Sequence, residues 1–272
     1  MNNMEMKLIF TDLDGTLLTD DKRVCDSNKE AIDMALKDGH KVITATGRPL
    51  ESAILGVHDI GLDKEGCYIL SYNGGLIYDC TTKEVIFKQE MNMDDVKHLY
   101  DDAKKWNLHF QTYNHGKVYV EEADSHIIEY HRKGKMPYEV HKDIIGDLTE
   151  APVKALVIDY DHAKLEEFLE YTLPWHDKSL DAFFSTNEYL EYMPKGINKG
   201  DGVKRLAEVL GVPMENTIAI GDERNDTSMI IAAGVGVAMK NAILEVKECA
   251  DYVTTLDNNE GGFAEAIKKF VL

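Results

Sequence analysis

Short hydrophobic runs alternate with longer amphipathic segments at the start of the chain. The runs are KLIFTDL, KVITAT and CYILSY, and between them apolar residues recur at helical spacing over residues 27–37 and 50–59. A strand, a helix and a second strand form the repeating unit of a parallel sheet. The first part of the chain therefore predicts βαβ units.

The same alternation returns near the end of the chain. The runs TIAIGD and VGVAM follow one another there, and helices are predicted over residues 200–210, 226–233 and 260–270. Because both ends have the same pattern, we interpret them as parts of one sheet. The predicted fold class is α/β, with a doubly wound, mostly parallel, Rossmann-like core.

The middle of the chain has a different pattern. Apolar and polar residues alternate in GGLIYD, EVIFKQ, LHFQTY and KVYVEE, which is typical of half-exposed antiparallel strands, and a helix is predicted over residues 94–106. KALVIDY and LEYMP continue the alternation after a charged, irregular stretch at residues 131–150. We therefore predict an inserted α+β domain at residues 84–189 and a core formed by residues 1–83 and 190–272.

The composition limits the partners that such a protein can have. A chain of 272 residues, 44% of them hydrophobic, is long enough to bury a substantial core. Its 30 basic and 49 acidic residues give a net charge of −19, and no run rich in lysine and arginine offsets this negative field. We expect no nucleic-acid partner, and an anionic substrate needs a local cation.

Cysteine content and hydropathy indicate the compartment. Cys25, Cys67, Cys80 and Cys249 form no CxxC pair, and so few cysteines in a long chain do not indicate a disulfide scaffold. The longest apolar run, residues 229–239, is short and contains two glycines, and the N-terminus lacks the pattern of a signal peptide. We expect a cytoplasmic protein that contacts no membrane, and a monomer.

Polar residues follow the predicted strands of the core. The carboxyl ends of parallel strands meet at one edge of a sheet, where ligands bind in this fold class. The residues at these ends, and a lysine where a later helix begins, are Asp12, Asp14, Thr46, Gly47, Arg48, Asn73, Lys199, Asp222, Asn225 and Asp226.

Two aspartates separated by one residue are the first members of this set. Carboxylates this close repel each other unless a cation lies between them, and Asp222 at another strand end supplies a third. Oxygen ligands of this kind suit Mg²⁺. Since a metal ion lets an anionic nucleophile approach a phosphoryl group, Asp12, Asp14 and Asp222 predict Mg²⁺-dependent phosphoryl transfer.

Each of these residues also has a purely structural interpretation. Aspartates before glycine are common in turns, and the GDERND segment fits the start of a surface helix. Thr46 fits a helix cap as well as a phosphate ligand, and Asn73 in SYNGG is typical of a turn. Lys199 has a rival in Lys195, which also precedes a glycine, and the spacing does not choose between them.

The motifs DLDGT, TGR, a Lys-Gly pair opening a helix, and GDERND occur in this order between Asp12 and Asp226. Together they resemble the haloacid dehalogenase superfamily, specifically its Cof-type branch, subclass IIB, in which a large C2-type cap lies between the second and third motifs. The resemblance covers nearly the whole chain. It implies that the insert is a cap that closes over the site and selects the substrate.

The resemblance implies a role for each residue of the first two motifs. Asp12 would attack phosphorus and form an aspartyl-phosphate. Asp14 would protonate the leaving oxygen, later activate water, and offer its backbone carbonyl to Mg²⁺. Thr46 and the backbone of Leu13 and Gly47 would hold the phosphoryl oxygens.

The later motifs complete the implied site. Lys199, at the Lys-Gly position of the family, would bind the phosphate and steady its charge. Asp222 would ligate the metal ion, Asn225 would orient the phosphate, and Asp226 would act on the metal ion indirectly, for example through water. Two further residues are candidate substrate contacts, with an ion pair as the structural alternative for the first: Arg48 and Asn73.

The predicted function is a Mg²⁺-dependent phosphatase of small phosphorylated metabolites, above all sugar phosphates, acting through an aspartyl-phosphate. One alternative is a phosphosugar mutase, which returns the phosphoryl group to a sugar and requires a sugar bisphosphate. Another is a phospho-accepting receiver domain, but there the modified aspartate follows the third strand, where this chain has Asn73. Neither GxxxxGK[ST] nor a GxGxxG after a strand occurs.

Overall fold

The computed structural model of the protein describes residues 5–272. The strands are β1 (Leu8–Thr11), β2 (Lys41–Ala45), β3 (Cys67–Ser71), β4 (Leu76–Asp79), β5 (Glu84–Lys88), β6 (His109–Asn114), β7 (Lys117–Val120), β8 (Tyr138–Val140), β9 (Ala155–Ile158), β10 (Leu180–Thr186), β11 (Tyr189–Pro194), β12 (Thr217–Gly221), β13 (Val235–Ala238) and β14 (Tyr252–Val253). The helices are α1 (Asp26–Lys37), α2 (Leu50–Asp59), α3 (Met93–Lys105), α4 (Ser125–Gly134), α5 (Ile144–Asp147), α6 (His162–His176), α7 (Lys199–Leu210), α8 (Thr227–Ala232), α9 (Leu244–Cys249) and α10 (Gly262–Phe270). No helix within this described range is long and apolar enough to span a lipid bilayer.

The larger of the two sheets has eight strands in the order β14-β13-β12-β1-β2-β3-β4-β5. Neighbouring strands from β14 to β3 are parallel, and β4 runs antiparallel to β3. Strands β1, β3 and β12 are buried along their whole length, as expected of parallel strands covered by helices on both faces. The predicted doubly wound, mostly parallel α/β core is confirmed.

The strands at the middle of this sheet bring the predicted polar residues to one edge. The backbone N–H of Asp12, directly after β1, donates to the carbonyl of Ile220 on β12 at 3.0 Å. The N–H of Thr46, directly after β2, donates to the carbonyl of Leu70 on β3 at 2.8 Å. Asp222 directly follows β12. Each of these residues therefore leaves its strand at the carboxyl end of the sheet.

A second sheet of six strands lies between β5 and α7 in the sequence, in the order β10-β11-β9-β6-β7-β8. Its neighbours are antiparallel except for β7 and β8, which are parallel. Helices α3 and α6 pack against each other and against this sheet. The residues of the core that they share include Val96, Leu99, Phe110, Val157, Leu165, Phe168, Leu190 and Tyr192.

The chain divides into two units by its internal contacts. One, the core unit, runs to Phe87 and resumes at Asn198, and the other, the inserted unit, spans Lys88–Ile197. The sequence analysis gave 84–189 for the insert, but β5 joins the larger sheet and β11 pairs with β9 and β10. A half-exposed edge strand such as β5 alternates in the same way in either sheet, so its pattern does not locate the boundary.

The prediction of an irregular stretch at residues 131–150 is wrong. This segment contains the end of α4, the strand β8 and the helix α5. Both β8, with three residues, and α5, with four, are too short to show a period in the sequence. The side chain of Asp143 accepts from the N–H of Gly146 at 2.9 Å and caps α5.

A glycine lets the start of α7 approach α8 closely. A Cβ atom at Gly200 would lie 2.3 Å from the backbone oxygen of Ser228 on α8. At Gly134, the last residue of α4, the nearest atom to a Cβ would be Cγ of Met136, at 4.0 Å. Only the first position is closed to a side chain, so the absence of a Cβ at Gly200 sets how near α7 lies to α8.

We expect Gly200→Ala to destabilise the protein by about 1–3 kcal/mol, because the added methyl group meets backbone that has to move. Alanine has a higher helix propensity than glycine, so the same substitution at a helical glycine with free space, such as Gly134, should stabilise the protein instead. Thermal unfolding of Gly200→Ala and Gly134→Ala tests this expectation. Equal melting temperatures for the two variants would contradict the close approach of α7 and α8.

Candidate active site

Lys199 lies at the centre of the candidate site. It is the first residue of α7, and the side chain of the preceding Asn198 caps the helix by accepting from the N–H of Asp201 at 3.0 Å. The Lys199 side chain is fully buried, and its Nζ lies 2.6 Å from Oδ1 of Asp12 and 2.6 Å from Oδ1 of Asp226. One ammonium group thus bridges carboxylates that follow β1 and β12.

The sequence spacing did not choose between Lys195 and Lys199, but the structure does. Nζ of Lys195 contacts the backbone carbonyl of Asp177 and lies 3.0 Å from its carboxylate, and the Lys195 side chain is 46% exposed. Burial alone would lower the pKa of Lys199, but the carboxylates of Asp12 and Asp226 raise it above its ordinary value. Lys199 is therefore a permanent buried cation.

Asp226 organises the turn that follows β12. Its Oδ2 accepts from the backbone N–H groups of Asp222, at 2.9 Å, and Glu223, at 3.0 Å, while its Oδ1 faces Lys199. The side chain is fully buried. Because both oxygens have protein donors, Asp226 fixes the turn and the lysine together.

The DLDGT segment holds the carboxylate of Asp222. The hydroxyl of Thr16 donates to Oδ1 of Asp222 at 2.6 Å in a buried hydrogen bond. Gly15 has a φ of +80°, and a Cβ there would lie 2.3 Å from Oδ2 of Asp222. Gly15 thus supplies the space and Thr16 the hydrogen bond that this carboxylate needs.

Three carboxylates form a cluster at this edge of the sheet. One oxygen each from Asp12, Asp222 and Asp226 lies within 4.8 Å of the others. Burial, reinforced by the neighbouring carboxylates, raises the pKa of Asp12 to about 7 in spite of Lys199. Burial likewise raises the pKa of Asp222 to about 6. This all-oxygen donor set, short of positive charge, fits a hard divalent cation.

The carboxylate of Asp14 lies outside this cluster, between two cations. Its Oδ1 is 2.7 Å from Nζ of Lys22 and its Oδ2 is 2.5 Å from Nη2 of Arg48. Burial favours the neutral acid, but these two cations lower the pKa of Asp14 below its usual value. Arg48 thus makes an ion pair, and its contact with substrate stays a prediction, as does a metal contact of Asp14.

Two peptide N–H groups are free at the ends of neighbouring strands. Leu13 follows Asp12 and Gly47 follows Thr46, and among residues 5–272 no acceptor pairs with the N–H of either Leu13 or Gly47. Free N–H groups at such turns form anion-binding sites. The Thr46 hydroxyl accepts from the N–H of Arg48 at 3.2 Å within the loop, while the N-cap of α2 is Pro49 and no side chain caps this helix, so the helix-cap alternative for Thr46 is wrong.

Asn73 and Asn225 contact each other. Nδ2 of Asn225 donates to Oδ1 of Asn73 at 3.4 Å, which joins the loop after β3 to the turn after β12. Asn225 is exposed to solvent and Asn73 is half-buried. The phosphate contact of Asn225 and the substrate contact of Asn73 stay predictions.

Two residues of the site were absent from the sequence prediction. Lys22 belongs to the charged run DDKR, where nothing distinguishes it from a solvated lysine, and its backbone is left-handed, with φ of +60°. Thr16 lies within the DLDGT motif, but its role requires knowing that Asp222 lies beside it.

Comparison with known proteins agrees with this geometry. The sequence matches the family of haloacid dehalogenase-like hydrolases over residues 9–267. A curated relative from Bacillus subtilis strain 168, named 5-amino-6-(5-phospho-D-ribitylamino)uracil phosphatase, is 32% identical over 270 residues. The alignment covers 99% of this chain and 98% of the relative.

Solved structures give the same result. A haloacid dehalogenase-like hydrolase from Bacteroides thetaiotaomicron is 34% identical and superposes with a TM-score of 0.88, covering 97% of this chain and 99% of the other. TM0651 from Thermotoga maritima is 28% identical, with a TM-score of 0.89 and 98% of each chain covered. The resemblance inferred from the motifs is confirmed: this chain belongs to the haloacid dehalogenase-like hydrolases and is a phosphatase.

Proposed function

We propose that this phosphatase hydrolyses phosphate monoesters of small sugars and sugar alcohols through an aspartyl-phosphate formed on Asp12, with Mg²⁺ as cofactor. The observation that carries the proposal is the pairing of the Asp12 carboxylate with the buried ammonium of Lys199, 2.6 Å away, at the sheet edge where the N–H groups of Leu13 and Gly47 have no acceptor among residues 5–272. A carboxylate next to donors for an anion is the arrangement that nucleophilic attack on a phosphoryl group requires.

The first half-reaction transfers the phosphoryl group to Asp12. An oxygen of Asp12 forms a bond to phosphorus while the bond from phosphorus to the alcohol oxygen breaks, and the alcohol leaves with a proton. Lys199 and the N–H groups of Leu13 and Gly47 stabilise the negative charge on the phosphoryl oxygens in the transition state. Asn225 orients the same group from the turn after β12.

Asp14 moves the protons in this mechanism. It gives a proton to the leaving oxygen in the first half-reaction and takes one from water when the aspartyl-phosphate is hydrolysed. Lys22 and Arg48 favour the ionised form of Asp14, which takes the proton from water in the second half-reaction, and Asp14 has to carry that proton to act as the acid in the next first half-reaction. Contacts from both oxygens also fix the orientation of the carboxylate.

The carboxylate cluster supports the cofactor assignment. Asp12 and Asp222 would hold Mg²⁺, and Asp226 supports them through the turn, since its own oxygens already accept from Lys199 and two N–H groups. Bound there, Mg²⁺ would neutralise charge on the phosphate and on the nucleophile. Burial raises the pKa values of Asp12 and Asp222, and the three carboxylates of the cluster outnumber the one ammonium of Lys199, so a divalent cation would stabilise their ionised forms.

The substrate class rests on the relatives. The Bacillus subtilis phosphatase described above is named for a substrate whose phosphate is carried by a ribityl chain, a five-carbon sugar alcohol. The chain's charge of −19 disfavours long polyanions and leaves small, singly phosphorylated metabolites as the better class. We therefore include sugar alcohol phosphates with the sugar phosphates.

Phosphate release from a panel of sugar phosphates, sugar alcohol phosphates and nucleotides tests the proposal, with and without Mg²⁺. We expect release that requires Mg²⁺ and falls at least about 10³-fold in Asp12→Asn, because the amide cannot attack phosphorus. The ranking of kcat/KM values identifies the substrate class. No release from any compound would contradict hydrolysis, and transfer to a sugar from a sugar bisphosphate would then indicate a mutase.

Lys199→Met is expected to lower kcat/KM by roughly 10²- to 10³-fold, because it removes a preorganised charge beside the nucleophile. Lys195→Met is the matched control, since the same charge is removed at a half-exposed lysine whose ammonium pairs with Asp177. We expect activity within about twofold of wild type for this control. Equal losses in the two variants would contradict the assignment of Lys199.

Asp222→Asn is expected to stabilise the metal-free protein above neutral pH. A folded-state pKa of about 6, above the ordinary value, means that folding favours the neutral acid, so stability is lost as pH rises through this value. Asparagine stays neutral, so the variant gains about 1–2 kcal/mol at about pH 8 and nothing at about pH 4. Thermal unfolding of wild type and variant at the two pH values, in the presence of a chelator, measures these differences.

Added Mg²⁺ provides the control for this measurement. We expect the ion to raise the melting temperature of wild type more than that of Asp222→Asn, because the variant lacks one ligand. A difference between the two proteins that does not change with pH would contradict the raised pKa of Asp222.

A further inference from the structure

The turn after β3 has a backbone that non-glycine residues rarely adopt. Tyr72 and Asn73 have φ values of +50° and +51°, and Gly74 follows with +102°. Left-handed conformations cost about 1 kcal/mol or more for residues with a side chain, and asparagine tolerates them best after glycine. Two such residues in succession, next to the candidate site, call for an explanation in the contacts that the turn makes.

The turn after β3 is hydrogen-bonded to the loop that follows β2. The N–H of Asn73 donates to the carbonyl of Thr46 at 3.0 Å, and the N–H of Tyr72 donates to the carbonyl of Arg48 at 3.1 Å. These carbonyls lie on either side of Gly47, whose own N–H is free among the described residues. The left-handed backbone therefore fixes the peptide groups on both sides of the phosphate-binding candidate.

The side chain of Asn73 connects these two loops to a third, the turn after β12. Its Oδ1 accepts from Nδ2 of Asn225 at 3.4 Å and lies 3.0 Å from where a Cβ of Gly47 would be. Asn225 is exposed and belongs to the turn after β12. A single amide thus lies against Gly47 and holds the side chain of Asn225.

We propose that Asn73 is a positioning residue that aligns Asn225 and the Gly47 peptide for binding of a phosphoryl group. This inference rests on the proposed function, in which Asn225 and Gly47 contact the phosphate. It replaces the direct substrate contact expected for Asn73 from the sequence. Asn73 acts through its neighbours: its N–H holds Thr46 and its amide oxygen holds Asn225.

A double-mutant cycle between Asn73→Gly and Asn225→Ala tests the proposal. Glycine keeps the left-handed backbone and removes only the amide. We expect Asn73→Gly to lower kcat/KM by roughly 3- to 10-fold, the effect of one hydrogen bond. In the Asn225→Ala background the same change should cost less than about twofold, because the side chain that Asn73 holds is then absent.

Binding of inorganic phosphate, measured by calorimetry in the presence of Mg²⁺, gives a readout independent of turnover. The dissociation constant should rise by a similar factor, roughly 3- to 10-fold, in Asn73→Gly and change little between Asn225→Ala and the double variant. A purely structural role of Asn73 would lower the melting temperature and leave the two effects additive.

Asn107→Gly is the matched control for the backbone. Asn107 has the same φ of +51° as Asn73, is exposed, and lies in the inserted unit after α3. It therefore undergoes the same chemical change in the same conformation, and we expect unchanged kcat/KM and phosphate binding. A loss in this control equal to that of Asn73→Gly would overturn the proposal.

The remaining outcomes are distinct from one another. Additive losses with an unchanged melting temperature would mean that Asn73 contacts the phosphate itself. No loss in Asn73→Gly would remove its role. Either result overturns the inference. Wild-type protein that neither binds phosphate nor hydrolyses any ester would instead overturn the proposed function. The two failures can therefore be told apart.

Discussion

The ammonium of Lys199, enclosed between the carboxylates of Asp12 and Asp226, is the interaction on which the site depends. A buried charge is tolerated only where partners compensate it, and here one cation serves two anions from different segments. The ion pairs tie the start of α7 to the ends of β1 and β12. Removing Lys199 would leave two carboxylates without a cation inside the core unit, whereas removing either aspartate would leave the lysine paired with the other.

The loops around this ion pair are bound to one another by hydrogen bonds. Thr16 reaches across to Asp222, Tyr72 and Asn73 hold the loop after β2, and Asn73 reaches Asn225. Groups fixed in this way lose little entropy when a transition state forms. The contrast is Asp14, whose two oxygens contact cations on more exposed side chains.

Much of this arrangement could be predicted from the sequence, because strand ends and helix starts leave local signals. Helices α1 and α2 begin and end within one residue of their predicted limits, and the polar residues after β1, β2 and β12 do lie at one sheet edge. What failed depends on partners distant in the sequence. Lys199 and Lys195 both precede a glycine, and only the position of Asp12 in the fold shows which of them belongs to the site. Likewise, nothing in the sequence around Lys22 indicates the left-handed turn in which it lies.

The central place of β1 in its sheet has a consequence for biosynthesis. Its partner β12 begins 206 residues after β1 ends, and the lysine that compensates Asp12 comes only shortly before β12. While the chain is being made, β1 presents an open strand edge and an unpaired aspartate until the last part of the chain emerges. The same delay means that no nascent chain is an active phosphatase before its synthesis is almost complete.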